Sequence, residues 1–289
     1  MRVPYSELSQ SELDHQLSPS RSAKDFLAVL TRHEAETAAL AADVTLRRWT
    51  DVAYGAAARQ RYDVTVPAAV AGPLPCLVFI HGGFWQEGAK SGSGFAARAY
   101  AAAGWAHVAL GYTLAPEATL AGILDEIATA LRHLRAQAAD YGIDPDRIVL
   151  AGHSAGGHLA VAVLAGLAGA DLAAALAGYV LISGVYDLAP IAASYVNDAV
   201  GMTPDDVARL SPLLHLPAAD RPVHLMIGAD EPAAFQRQTD ALAEHWGPHL
   251  AHLGLSRIAG RDHFDILDAL GAPGTETWQE IQAMGGGGA

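Results

Sequence analysis

Short runs of apolar residues recur along the chain and predict the strands of a sheet. The run 60–66 alternates apolar and polar side chains, as a half-buried strand does. The later runs are continuously apolar, which is typical of parallel strands that are covered on both faces. They span residues 76–80, 106–110, 147–150, 179–182, 223–227 and 253–258, of which the last has the least regular pattern.

Helical patterns lie between these strands. They cover residues 94–103, 119–140, 155–168 and 234–246. Within the second of these, Ile123, Ile127 and Leu131 recur on one face of the helix. Strands that alternate with helices predict an α/β fold, with a mostly parallel central sheet, right-handed crossovers and helices on both faces.

The pattern also divides the chain into parts. Residues 1–45 are polar and then helical, and we expect this N-terminal helical segment to pack on the domain that follows. Residues 46–284 form that α/β domain. Within it, the region 186–220 contains several prolines without clear periodicity, and we expect a small cap or loop excursion there. The Gly-rich tail 285–289 is expected to be flexible.

Charge and composition exclude several classes of partner. The formal net charge of −13 disfavours binding to nucleic acid or to an anionic membrane surface. The longest apolar stretch, 159–170, is shorter than the roughly 20 residues that a membrane span needs. Residues 1–7 lack the apolar core of a secretion signal, and the lone Cys76 excludes an intramolecular disulfide. We therefore expect a cytoplasmic protein, for which a homodimer is compatible with the sequence.

The strongest chemical signal is the motif Gly152-His153-Ser154-Ala155-Gly156, which reads G-x-S-x-G and lies between a predicted strand and a predicted helix. A sharp turn of this kind projects a serine hydroxyl above the sheet, and its glycines remove Cβ atoms that would clash. A phosphate-binding loop is the rival interpretation. The segment lacks the sequence of a Walker or dinucleotide loop, so we predict that Ser154 is a nucleophile in an α/β-hydrolase fold.

A second glycine-containing turn predicts an oxyanion hole. The segment His81-Gly82-Gly83-Phe84 directly follows the predicted strand 76–80. Glycines let the main chain approach the substrate and leave its N–H groups uncovered, and the residue after the nucleophile supplies another donor. We assign the oxyanion hole to the backbone N–H groups of Gly83, Phe84 and Ala155.

The general base is expected late in the chain, because the order in this fold is nucleophile, acid, histidine. His263 follows the last predicted strand and precedes an apolar helix start, so it is the predicted base. His245 and His249 lie four residues apart in or after a helix, but no third metal ligand is evident. We therefore predict no metal site.

The acid that orients the base follows the predicted strand 223–227. Asp230 and Glu231 both stand there, and the residue pattern leaves both open. Asp187, after an earlier strand, is a third candidate.

With these residues in place, the chain resembles the kynurenine formamidase (arylformamidase) branch of the α/β-hydrolases, near the hormone-sensitive-lipase-type esterases. Segments 51–55 and 59–64 look like the first hairpin of that family, and 81–85 matches its H-G-G-x-W signature. The remaining similar segments are 12–21, 112–119, 152–157 and 262–265. In the stretch 231–238, the resemblance aligns Glu231, rather than Asp230, with the acid of the family, although Asp is commoner there.

The resemblance implies a serine hydrolase that removes the formyl group from an aromatic amine, N-formyl-kynurenine being the substrate of the family, without a metal or organic cofactor. Phe84, Trp85, Tyr186 and Tyr195 are candidates to line an aromatic substrate pocket. The alternative is a carboxylesterase of broad short-acyl and aryl specificity that uses the same residues. A third reading, a ligand-binding protein without catalysis, is disfavoured because the nucleophile, acid and base are all present.

Overall fold

The computed structural model of the protein describes residues 5–69 and 72–286. These residues form one eight-stranded sheet with the order β1-β2-β4-β3-β5-β6-β7-β8. Strand β2 runs antiparallel to both of its neighbours, and all other neighbouring strands are parallel. The strands are β1 (Leu46–Ala53), β2 (Arg61–Pro67), β3 (Leu74–Ile80), β4 (Ala106–Leu110), β5 (Ile143–His153), β6 (Gly178–Ile182), β7 (Val223–Gly228) and β8 (Leu253–Ile258).

Helices cover both faces of this sheet. In chain order, the α-helices of the described residues are α1 (Gln10–Gln16), α2 (Phe26–Ala39), α3 (Ala97–Ala102), α4 (Leu120–Gln137), α5 (Ala155–Leu164), α6 (Ala170–Ala175), α7 (Ala189–Ala192), α8 (Asn197–Val200), α9 (Pro204–Leu210), α10 (Ala233–Trp246) and α11 (Glu276–Met284). The α/β architecture predicted from the alternation of strands and helices is confirmed.

The two faces of the sheet bury two separate cores. Along β3, Cys76 and Val78 join one core while Leu77 and Phe79 join the other, because successive side chains of a strand point to opposite faces. Helices α4, α5 and α10 cover the first core, and α3 and α11 cover the second. Both cores are continuous along the parallel strands, which explains their uninterrupted apolar runs.

The element bounds differ from the sequence pattern in a few places. Strand β1 was not predicted from periodicity, since its side chains alternate only irregularly between partly buried and exposed positions. Its pairing of Val52 with Tyr62 forms the hairpin that the family resemblance implied. Helix α5 ends at Leu164 rather than at residue 168, and the region 186–220 contains the three short helices α7, α8 and α9.

Both ends of the described chain contact the α/β domain. Leu13 and Leu17 of the N-terminal segment are buried in the first core. Of the predicted flexible tail, residues 287–289 lie outside the described residues, as do residues 1–4. Gly285 is held in place, because Arg147 Nε donates a hydrogen bond of 2.6 Å to its carbonyl oxygen. Within 5–69 and 72–286, no helix combines the length and the apolar character that a membrane crossing requires.

Candidate active site

Ser154 occupies a strained turn between β5 and α5. Its backbone has φ +55° and ψ −116°, a conformation that side-chain-bearing residues rarely adopt. The flanking glycines make the turn possible. A Cβ on Gly152 would lie 2.1 Å from the carbonyl oxygen of Gly156, and a Cβ on Gly156 would lie 2.1 Å from that of Ile80. The turn therefore requires glycine at both positions, as the motif suggested.

The loop after β3 carries three consecutive residues with positive φ. Gly83, Phe84 and Trp85 have φ values of +104°, +45° and +60°. A Cβ on Gly83 would lie 2.4 Å from the carbonyl oxygen of Glu87, so the turn closes only with glycine. Among the hydrogen bonds of the described residues, none is donated by the backbone N–H of Gly83, Phe84 or Ala155. These N–H groups are thus available to a bound oxyanion.

His81 supports this loop from beneath. Its ring stacks on Tyr112 with ring centroids 4.3 Å apart, and its Nδ1 lies 2.8 Å from the carbonyl oxygen of Gly82. Burial lowers the pKa of His81 to about 4, so the ring is neutral at physiological pH. His81 therefore contributes packing and a hydrogen bond to the loop.

His263 and Glu231 form a buried pair. Nδ1 of His263 lies 2.7 Å from Oε2 of Glu231, and the two side chains are 3% and 0% exposed. A carboxylate only accepts hydrogen bonds, so Nδ1 carries the proton in this pair, and the neutral ring keeps its lone pair on Nε2. Phe235 and His153 pack on the imidazole with ring centroids 4.4 and 4.7 Å away.

The neighbouring carboxylates are directed elsewhere. Asp230 pairs with Lys24 Nζ at 3.1 Å, and its side chain is 46% exposed. Asp187 accepts a hydrogen bond of 3.0 Å from the backbone N–H of Ala189 at the start of α7. Of the three candidate acids, Glu231 is therefore the one that the structure brings to His263.

Two polar residues that sequence reasoning missed hold this arrangement together. Nε2 of His153 lies 2.7 Å from the carbonyl oxygen of His263. Burial, together with the nearby His263, holds the pKa of His153 well below its usual range, so the neutral ring donates this bond. The hydroxyl of Ser183 donates to Glu231. His153 lies within the G-x-S-x-G motif itself, whereas no local pattern distinguishes Ser183.

Ser154 and His263 line the same cavity, which has a volume of about 590 Å³. The sheet side of the cavity is formed by the turn at Ser154, the loop after β3 and the loop after β8. Its outer wall comes from the N-terminal segment and is formed by Pro19, Ser20, Phe26, Leu30, His33 and Glu34.

The predicted aromatic pocket is only partly present. Phe84 and Tyr195 line the cavity, but Trp85 and Tyr186 do not, so the prediction was wrong for the last two. Both are fully buried in the first core. The successive positive φ values at Gly83, Phe84 and Trp85 direct the Trp85 ring into that core, where it packs edge-on against His158 at 5.0 Å.

The N-terminal wall is tied to the loop that carries the histidine. Asp262, directly before His263, accepts a hydrogen bond of 2.9 Å from the backbone N–H of Lys24. Burial raises the pKa of Asp262, but the backbone N–H donors of Lys24, Phe264 and Asp265 outweigh it and hold the pKa below its usual value. The wall thus depends on an ionised carboxylate.

A second contact of the wall involves Asp268, which accepts from Arg32 at 2.7 Å and from His33 at 3.2 Å. Arg261 approaches the other carboxylate oxygen at 3.1 Å. Burial by itself raises the pKa of Asp268. The contacts with His33 and Arg32 outweigh burial and lower the pKa to about 2.

Comparisons with known proteins agree with the α/β-hydrolase fold. The profile of the BD-FAE family matches residues 62–246. The chain is 29% identical to the kynurenine formamidase of Danio rerio over 92% of this chain and 93% of that protein. Over 35% of this chain and 32% of the relative, it is 42% identical to the carboxylesterase NlhH of Mycobacterium tuberculosis. A provisionally assigned thioesterase structure from Silicibacter sp. TM1040 superposes with a TM-score of 0.82 at 27% identity, covering 94% of this chain and 99% of that one.

Proposed function

The chain belongs to the BD-FAE family, and on that premise we propose that this serine hydrolase removes formyl groups from aromatic amines such as N-formyl-kynurenine. The observation that carries the proposal is the buried His263–Glu231 pair, in which His263 lines the same cavity as Ser154, Gly83 and Phe84. The similarity to kynurenine formamidase over nearly the whole chain supports the choice of a formamide substrate.

The reaction begins when Oγ of Ser154 attacks the formyl carbon while Nε2 of His263 takes its proton. The carbonyl oxygen becomes an oxyanion, which accepts hydrogen bonds from the N–H groups of Gly83, Phe84 and Ala155. Each such donor is worth roughly 2.7–4 kcal/mol of transition-state stabilisation.

The tetrahedral intermediate then collapses. The C–N bond breaks, and His263 gives its proton to the leaving amine nitrogen, which leaves a formyl ester on Ser154. A water molecule attacks this ester while His263 removes a proton from the water. Formate then departs, and His263 returns the proton to Oγ of Ser154. Glu231 keeps the imidazole in the required tautomer and stabilises its protonated form in both halves of the cycle.

A carboxylesterase is the second candidate, and one observation favours it. Among the described residues that line the cavity, the charged side chains other than histidine are Glu34 and Glu87, and none is Lys or Arg. The carboxylate of N-formyl-kynurenine would therefore find no cation within the cavity, whereas a neutral ester needs none. The partial similarity to a carboxylesterase points the same way.

Turnover of two substrates separates these functions. We expect a higher kcat/KM for N-formyl-kynurenine than for p-nitrophenyl acetate, and we expect Ser154→Ala to abolish both activities. Ester turnover that exceeds formamide turnover by orders of magnitude would assign the protein to the esterases. If a fluorophosphonate failed to label Ser154, the protein would instead be a ligand-binding protein without catalysis.

The proposal includes a cytoplasmic location, supported by the single cysteine, which is fully buried in β3. A homodimer is compatible with the proposal, and sedimentation equilibrium tests for it.

A further inference from the structure

Beyond the three residues of the proposed triad, we infer that Ser183 is a positioning residue that fixes the carboxylate of Glu231 in the orientation that His263 requires. The inference rests on the proposed function, since it concerns the same acid. Ser183 directly follows β6 and is completely buried. It does not line the cavity, so it acts on the acid rather than on the substrate.

The hydrogen bonds divide the two carboxylate oxygens between separate partners. Oε1 of Glu231 accepts from the hydroxyl of Ser183 at 2.5 Å and from the backbone N–H of Gly228 at 2.8 Å. Oε2 accepts from Nδ1 of His263 at 2.7 Å. The two donors on Oε1 come from the ends of adjacent strands, β6 and β7. They therefore hold the carboxylate against rotation and present Oε2 to the imidazole.

The identity of the acid explains why such a restraint is needed. A glutamate side chain has one more rotatable bond than an aspartate, so its carboxylate has more orientations available in the same loop. Charge-assisted hydrogen bonds to carboxylates are short and strong, and a buried pair of donors removes this freedom.

The backbone of Ser183 is built to point the hydroxyl in this direction. Its φ of +50° is unusual for a residue with a side chain. A backbone hydrogen bond holds this residue in place, because the N–H of Ser183 donates to the carbonyl oxygen of Met226 at 2.8 Å. Strain that is held in place by its surroundings is frequent at functional sites.

A double-mutant cycle tests the inference, with p-nitrophenyl acetate as a sensitive substrate. We expect Ser183→Ala to lower kcat about tenfold or more with KM changed less than about twofold, because the lost interaction acts on the acid and not on substrate binding. In the Glu231→Ala background, the same substitution is expected to have no further effect, because the carboxylate that it positions is gone.

Two further variants guard against a general loss of structure. Ser183→Gly removes the hydroxyl and relieves the positive φ, so it is expected to fold and to lose activity as Ser183→Ala does. Ser211→Ala is the matched control, since Ser211 is equally buried but donates to the carbonyl oxygen of Val207. We expect this control to leave kcat nearly unchanged.

The outcomes separate the inference from the proposed function. Full activity of Ser183→Gly, or an equal loss from Ser183→Ala in both backgrounds, would overturn the role of Ser183 alone. Unchanged activity of Glu231→Ala would overturn the proposed triad, and the inference with it.

Discussion

The two sides of the cavity are held in place by different interactions. On the sheet side, Ser154, Glu231 and His263 are all buried, and each lies after a strand of the parallel sheet. The opposite wall comes from the N-terminal segment, where Leu30 of helix α2 lines the cavity and is 41% exposed. The sheet side is fixed by buried hydrogen bonds and backbone geometry. The wall is held by the carboxylates of Asp262 and Asp268 and by ring contacts of Phe26 with Phe264 and of His33 with Phe95.

This difference has a functional meaning. Buried hydrogen bonds lock side chains in position, which suits groups that must act on a reacting atom. Exposed ion pairs contribute little and allow movement, which suits a wall that admits substrate. We therefore expect substitutions on the sheet side to lower kcat and substitutions in the wall to change KM and stability.

The largest contrast is expected between two adjacent carboxylates. Glu231→Gln should lower kcat about 10⁴-fold, because the amide cannot stabilise the tautomer and charge that the base needs. Asp230→Asn should change kcat less than about twofold, since Asp230 faces Lys24 at the surface. Steady-state kinetics on the same substrate measure both effects. If the two variants lost kcat equally, Asp230 would support His263 as much as Glu231 does, and the expected difference between the two carboxylates would be wrong.

Asp262 joins the two sides, and its removal should affect both. Asp262→Ala leaves the N–H groups of Lys24, Phe264 and Asp265 without their acceptor. We expect the free energy of unfolding to fall by about 3 kcal/mol in urea titrations, with at least a tenfold loss of kcat/KM. Asp262→Asn keeps an acceptor oxygen and should lose less. If stability fell by about 3 kcal/mol while kcat/KM stayed unchanged, the contact of Asp262 with the wall would have no effect on His263.

The contribution of Asp268 to the free energy of unfolding should depend on pH. Its pKa is about 2 in the folded protein and about 3.9 in an unfolded chain. The stabilisation by Asp268 is therefore complete at pH values above the pKa in the unfolded chain. It is lost as the pH falls from about 4 towards 2. We expect Asp268→Asn to lower the free energy of unfolding by about 1 kcal/mol at pH 6 and by much less at pH 2.5.

The matched control for Asp268 is Glu36→Gln, which removes the exposed partner of Arg32 in the same helix. We expect this variant to change stability by less than about 0.5 kcal/mol at either pH. If Asp268→Asn lowered the free energy of unfolding equally at pH 6 and at pH 2.5, the contact of Asp268 with the wall would not be ionic.

The smallest effect is expected for Lys24→Ala. The ammonium pairs with Asp230 at the surface, with 62% of the lysine side chain exposed. The backbone N–H, which donates to Asp262, remains in the variant. We expect less than about 0.5 kcal/mol of lost stability and less than a twofold change in KM. A loss as large as that of Asp262→Ala would assign the tether to the side chain instead of the backbone.

Local pattern was sufficient for most of the fold. The apolar runs of β3 to β7 identify strands that are covered on both faces, and the structure confirms them. Strand β1 was missed because it is an edge strand with an irregular side-chain pattern. Side-chain direction after β3 was also missed, since three successive positive φ values determine which of Phe84 and Trp85 faces the cavity.

The sequence by itself determined the parallel sheet and the strained turn at Ser154, because apolar runs and glycine positions act on their immediate neighbours. It could not choose between Asp230 and Glu231 by pattern, and it gave no sign of Ser183. Those contacts join residues 48 and 32 positions apart, Ser183 with Glu231 and Glu231 with His263. Only the tertiary structure decides them, because the lateral order of β6, β7 and β8 brings their carboxyl ends together at one edge of the sheet.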